Sequence, residues 1–237
     1  MLFYPNMPHE RRRLYHALVV PVLISLLFVL IYVLQWGLQW NVEAWGVVPR
    51  TVAGLKGILL HPFAHAGLSH LFNNVSTFFI LSVTLYYFYK DVAGRVLLLL
   101  WPMTGFLLWI IGRDSIHIGA SGVIYGLAFF IFWGGLLMRN ISLLAISLAV
   151  VFWYGSMVWD MLPFLPNESI SWEGHLSGAI AGSILAFVFR KSGWRPEEPE
   201  PEVSPEDDEL SEMAMKYDEE GEEPKEEPDP AQNRPAT

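Results

Sequence analysis

Two residues stand out among those that could do chemistry: Ser121 in Gly119-Ala120-Ser121-Gly122, and His175 in Gly174-His175-Leu176-Ser177-Gly178. Both sit in stretches that are otherwise apolar. Serine is a weak nucleophile and must lose its proton to a base held about 2.6 to 3.2 Å away; histidine titrates in the range such a base needs. Side chains on two different helices reach that distance only where the backbones approach closely, which requires residues without bulk at the contact. Gly174, Gly178, Gly182 and Ala186 recur every four residues, and Gly122 and Gly126 repeat the spacing after Ser121. His175 precedes Gly178 by three positions and Gly182 by seven, so it shares a helical face with that seam. Tyr125, four residues after Ser121, could stack on the imidazole or confine it. Glycine seams also pack helices with no chemistry, and a serine beside one can simply bond a carbonyl; the joint placement at one depth favours the chemical reading.

A third group lies upstream, in His61-Pro62-Phe63-Ala64-His65 and His70-Leu71-Phe72-Asn73-Asn74. His70 and Asn74 are four apart and so share a helical face. Their ring N–H and amide are donors suited to the negative charge that develops on an attacked carbonyl oxygen. His61, His65 and His70 could instead supply nitrogen ligands to a metal. Pro62 breaks the regular spacing and no carboxylate falls in the cluster, which favours a structural role for His61 and His65. His117 reads as an interfacial loop residue. Glu173, two residues before His175, invites a triad, but a carboxylate at a wet helix start is more simply a terminal charge beside solvent. No metal or cofactor enters this reading.

The elements that must hold these groups are apolar helices. The chain is 53% hydrophobic and 16% charged, and its charge is segregated. Residues 1–195 carry a balance of +5 and residues 196–237 one of −14, so the net −9 describes the tail. Cysteine is absent, which excludes disulfides and thiolate metal sites. Crossing the hydrocarbon core takes about 20 apolar residues, fewer inside a bundle. Six stretches qualify: 17–36, 71–89, 96–111, 122–138, 141–161 and 176–189. The first is too long for a signal core and lacks a small-residue cleavage site, so it reads as an uncleaved anchor.

Lys and Arg at Arg11, Arg12, Arg13, Lys90, Arg95, Arg139, Arg190, Lys191 and Arg195, against Arg50, Lys56 and Arg113 in the alternate loops, predict both termini in the cytoplasm. Ser121 and His175 then lie near the same, outer face. The expected organisation is a cytoplasmic segment 1–16, an all-α polytopic membrane bundle of six transmembrane helices over 17–190, and an acidic Pro/Glu-rich tail over 191–237. The tail cannot bury enough surface to fold alone, and its 210–217 stretch could form a short helix on a cytoplasmic partner. Trp36, Trp40 and Trp45 suggest interfacial anchoring of the first outer loop.

Over about residues 45–190 the chain resembles the rhomboid intramembrane serine proteases of the six-helix bacterial type. The sequence from Gly119 to Gly126 is similar to the family's nucleophile motif, and Gly174 to Gly178 to its histidine motif. The resemblance implies that Ser121 is the nucleophile, His175 the general base, and His70 and Asn74, with the serine backbone N–H, the oxyanion hole. Tyr125 would pack on the histidine, with Gly119, Gly122, Gly178 and Gly182 in support. It further implies cleavage of a substrate's transmembrane segment near its outer end, after a small residue, in a bacterial inner membrane. Implied partners are transmembrane substrates and the lipid bilayer, with no nucleic acid. Two departures stand out: Lys56-Gly57 where the family often has Trp-Arg, and Tyr86 to Tyr89 where many members carry a glutamate. The rival is a catalytically silent relative that binds transmembrane helices, but such proteins typically lack the serine or the histidine. A transporter would usually show an inverted repeat, and none is visible.

Overall fold

The structure, a computed structural model, describes residues 9–138, 140–163 and 170–192. All of these lie in a compact unit, Met1–Trp194; the second unit, Arg195–Thr237, falls outside the described residues, and with it the acidic tail and its 210–217 stretch. Arg139 and residues 164–169 are likewise outside.

Every regular element among the described residues is helical. The first, α1 (His9–Leu38), is apolar around its whole circumference from Ala17 to Leu34. Leu23, Leu26, Leu30 and Val33 face outward and only Ala17, Pro21, Ser25 and Phe28 of its described side chains are buried, as befits a helix whose solvent is lipid. It begins at His9 rather than Ala17, because the arginines continue the helix rather than break it. A long connection follows, with a short α2 (Gly57–Leu60) set between 3-10 turns at Ala53–Lys56 and His61–Phe63. Then come α3 (Leu68–Phe88), α4 (Ala93–Ile111) and α5 (Ser121–Leu137). Asn140 caps α6 (Ile141–Tyr154) by accepting from the Ser142 and Leu143 amides. Past Gly155 that chain tightens to a 3-10 helix, Gly155–Met161, where the sequence pattern predicts unbroken helix to Met161. The last, α7 (Trp172–Phe189), starts four residues before the expected Leu176 because Ser171 caps it, accepting from the Gly174 amide at 3.2 Å.

Four of these segments, Arg11–Leu38, Leu68–Phe88, Ala93–Ile111 and Ile141–Met161, are long and apolar enough to cross a membrane. The protein is a polytopic membrane bundle. α5 and α7 are shorter and mostly surrounded by protein, and their mutual contact is the most extensive in the fold. A methyl group on Gly178 would overlap the Gly122 carbonyl, and one on Gly182 the Gly126 carbonyl, so each contact is backbone against backbone. Phe28 anchors α1, its ring 5.3 Å from Phe78 and 5.5 Å from Phe63.

The long connection is tied to α4 by main-chain acceptors. Trp101 donates to the Leu59 carbonyl and Trp109 to the Thr51 carbonyl, while the Arg50 guanidinium reaches the Ile110 and Gly112 carbonyls and the Asp114 carboxylate. A single antiparallel bridge, Val47 to His117, fastens it to the loop that leads into α5.

Candidate active site

Ser121 is the first residue of α5 and His175 the fourth of α7, so the close packing of these helices decides their distance. Ser121 Oγ lies 3.0 Å from His175 Nε2. The other ring nitrogen, Nδ1, lies 3.0 Å from the main-chain oxygen of Asp160. A carbonyl can only accept, so Nδ1 carries the hydrogen and Nε2 presents its lone pair to the serine hydroxyl. Tyr125 stacks on the imidazole, rings 4.1 Å apart and 8° from parallel, and its hydroxyl donates to the Met157 carbonyl at 2.8 Å. Ring and phenol thus both hang from the 3-10 segment after α6.

His70 and Asn74 converge on the same place from α3. Gly119 has φ +103°, a left-handed conformation that favours glycine. A methyl group there would lie 2.7 Å from His70 Nε2 and 3.8 Å from Asn74 Nδ2, so the glycine leaves room for both beside Ser121. One hydrogen of the Asn74 amide goes to the His70 carbonyl at 2.9 Å, and the other is available to a ligand. As the first helical residue, Ser121 has a backbone N–H without an intrahelical partner.

His61 and His65 stand behind the site: the His65 ring packs edge-on against His70, centroids 5.1 Å apart, and the His61 carbonyl accepts from the Gly119 N–H at 2.9 Å. His61 Nδ1 donates to the Gly57 carbonyl at 2.8 Å and His65 Nδ1 to that of Phe63 at 3.3 Å, and both side chains are buried. Among the described residues no three His, Cys, Asp or Glu side chains converge as a metal would need. Burial pushes both imidazoles down to about 4, with the nearby His70 adding to the effect at His65. Each therefore binds fewer protons folded than unfolded. Their contribution to stability is complete above the ordinary 6.5 and is lost as pH falls from there through about 4, on the order of 3 kcal/mol per imidazole. The melting temperature of the purified protein should drop across that window; a flat profile would contradict the burial.

Two sequence expectations are corrected. Glu173 does not sit beside solvent: it is 1% exposed, accepts from the Arg113 backbone N–H at 3.3 Å and pairs with the Arg113 guanidinium at 3.4 Å. A buried carboxylate needs such partners, and it does not touch the His175 ring nitrogens. His117 is no interfacial residue either. It is 3% exposed, with Nδ1 2.7 Å from Ser171 Oγ and Nε2 3.0 Å from the Arg113 oxygen, and burial holds it below the ordinary imidazole range. Sequence reasoning also missed Asp160, whose main-chain oxygen orients the His175 ring and which no motif or spacing marks.

Comparison with known proteins gives a consistent picture. An uncharacterized protein of Mycobacterium tuberculosis (strain ATCC 25618 / H37Rv) is 33% identical over 161 residues, 63% of this chain and 65% of the relative. One from Mycobacterium leprae (strain TN) is 32% identical over 148 residues, 57% of this chain and 56% of the relative. Rhomboid-related protein 1 of Caenorhabditis elegans is 27% identical over 133 residues, 53% of this chain and 37% of the relative. The chain thus covers less than two thirds of the length of each. The description "Rhomboid domain" matches residues 52–192, more than half of the chain and all of the segments that carry Ser121, His175, His70 and Asn74; the protein belongs to the rhomboid family.

Proposed function

We propose that this protein is an intramembrane serine endopeptidase that cuts the transmembrane segments of other membrane proteins. The observation that carries the reading is the 3.0 Å approach of Ser121 Oγ to a histidine nitrogen whose tautomer leaves it able to accept a proton. Ser121 attacks the scissile carbonyl while His175 Nε2 takes its proton. The imidazolium that forms is held by the Asp160 carbonyl on Nδ1, and its second proton goes to the leaving amine. Water then releases the acyl group by the same route in reverse. His70, the free hydrogen of Asn74 and the Ser121 backbone N–H receive the oxyanion, each donor stabilising the transition state by about 3 kcal/mol.

In this reading the bundle has six spans, with α5 and α7 crossing inside the protein, and both termini are cytoplasmic as the Lys and Arg distribution favours. The site then opens toward the outer face of a bacterial inner membrane. The acidic tail offers a surface to a cytoplasmic partner. A fluorophosphonate probe applied to membranes tests the chemistry directly: wild type should be labelled covalently and Ser121→Ala should not. An unlabelled wild type, with no difference in the membrane-protein fragments released by cells carrying the two forms, would overturn the proposal in favour of a silent helix-binding relative.

A further inference from the structure

We propose that His117 is a positioning residue that sets the register between the strand of chain delivering Ser121 and the helix delivering His175; this rests on the endopeptidase reading above. His117 stands four residues before Ser121, and each of its polar atoms is engaged. Its backbone exchanges two 2.9 Å hydrogen bonds with Val47, which is wholly buried. Nε2 faces the Arg113 carbonyl at 3.0 Å and must carry the ring hydrogen. Nδ1 is then an acceptor, and the group 2.7 Å away is the Ser171 hydroxyl, which donates to it.

Ser171 is the cap of α7, its oxygen taking the Gly174 amide at 3.2 Å and its carbonyl the His175 amide at 3.2 Å. One directed chain of hydrogen bonds therefore runs from the amide beside the base, through the cap hydroxyl, into a ring on the nucleophile's own loop. Arg113 makes a parallel tie, to Glu173 and to the Ile170 carbonyl at 2.9 Å. Because the two segments are held twice, loosening the His117 link shifts their register rather than separating them. Misplacement by an ångström can cost a hundredfold in rate without touching substrate contacts.

The test separates the two ring nitrogens. His117→Asn keeps an acceptor where Nδ1 faces Ser171, whereas His117→Gln extends toward Arg113 and leaves the Ser171 hydroxyl without its acceptor. With a transmembrane reporter in proteoliposomes, His117→Gln should lower kcat at least about tenfold at unchanged KM, and His117→Asn should recover most of it. Ser171→Ala, which also loses the Gly174 cap, should be at least as slow as His117→Gln, and the double variant should be no slower than Ser171→Ala. Nitrogen-15 spectra of the rings report without turnover: the His175 Nε2 signal should move in His117→Gln and stay in His117→Asn. A His117→Gln with kcat within twofold of wild type, or a kcat that falls equally in both variants alongside the melting temperature, would overturn the inference. Inactive wild-type protein in which the His175 signal still moves as expected would instead count against the endopeptidase reading alone.

Discussion

Ser121→Ala, His175→Ala and the double variant are expected to reduce cleavage of a transmembrane reporter by one common factor, at least about ten-thousandfold. The reason lies in the single 3.0 Å hydrogen bond between them. Without the imidazole the hydroxyl keeps its proton, and without the hydroxyl the imidazole has nothing to activate, so the second deletion removes what the first has already disabled. Whatever remains would come from the oxyanion donors and from substrate binding, which neither substitution touches. Rates in proteoliposomes, normalised to the amount of protein reconstituted, check this. A double variant slower than both singles by a further large factor would mean that the two groups act independently, and the dyad would have to be abandoned.

Gly178→Ala should produce the largest loss of stability available from one added methyl group. The new carbon would overlap the Gly122 carbonyl, which is main chain and cannot swing aside, so α5 and α7 must separate. Forced overpacking of this kind costs about 3 kcal/mol, and here the same separation lengthens the Ser121–His175 hydrogen bond. Melting temperature and probe-labelling rate should therefore fall together. Gly37→Ala is the natural control: it lies in α1 with nothing within 4 Å of the added methyl group, so it should leave the labelling rate alone and hold or slightly raise the melting temperature. If Gly178→Ala behaved like Gly37→Ala, the contact between the helices would be looser than described.

The approach of the two helices was legible in the four-residue glycine spacing, since a backbone contact needs small residues on one stripe and both helices supply them. The convergence of His70 and Asn74 on one face was legible for the same reason of period. What the sequence did not reveal is how the ends of the bundle are closed. His117, Arg113, Ser171 and Glu173 were visible as residue types, but they pair across more than fifty positions, between loops for which no periodicity predicts a partner. Glu173 was misread because a carboxylate at a helix start usually faces water, and here an arginine from another loop covers it. The shortening of α6 at Gly155 was likewise hidden, because the hydropathy of 141–161 runs on unbroken after the helix has tightened.

The partner of His175 Nδ1 belongs to the segment Gly155–Met161, and so does the acceptor for Tyr125. That segment ends an element lying mainly against α5, with Phe152, Trp153 and Trp159 turned outward. Any outward displacement of Gly155–Met161 would therefore release the imidazole and the phenol together, since both are fastened to the same few main-chain oxygens.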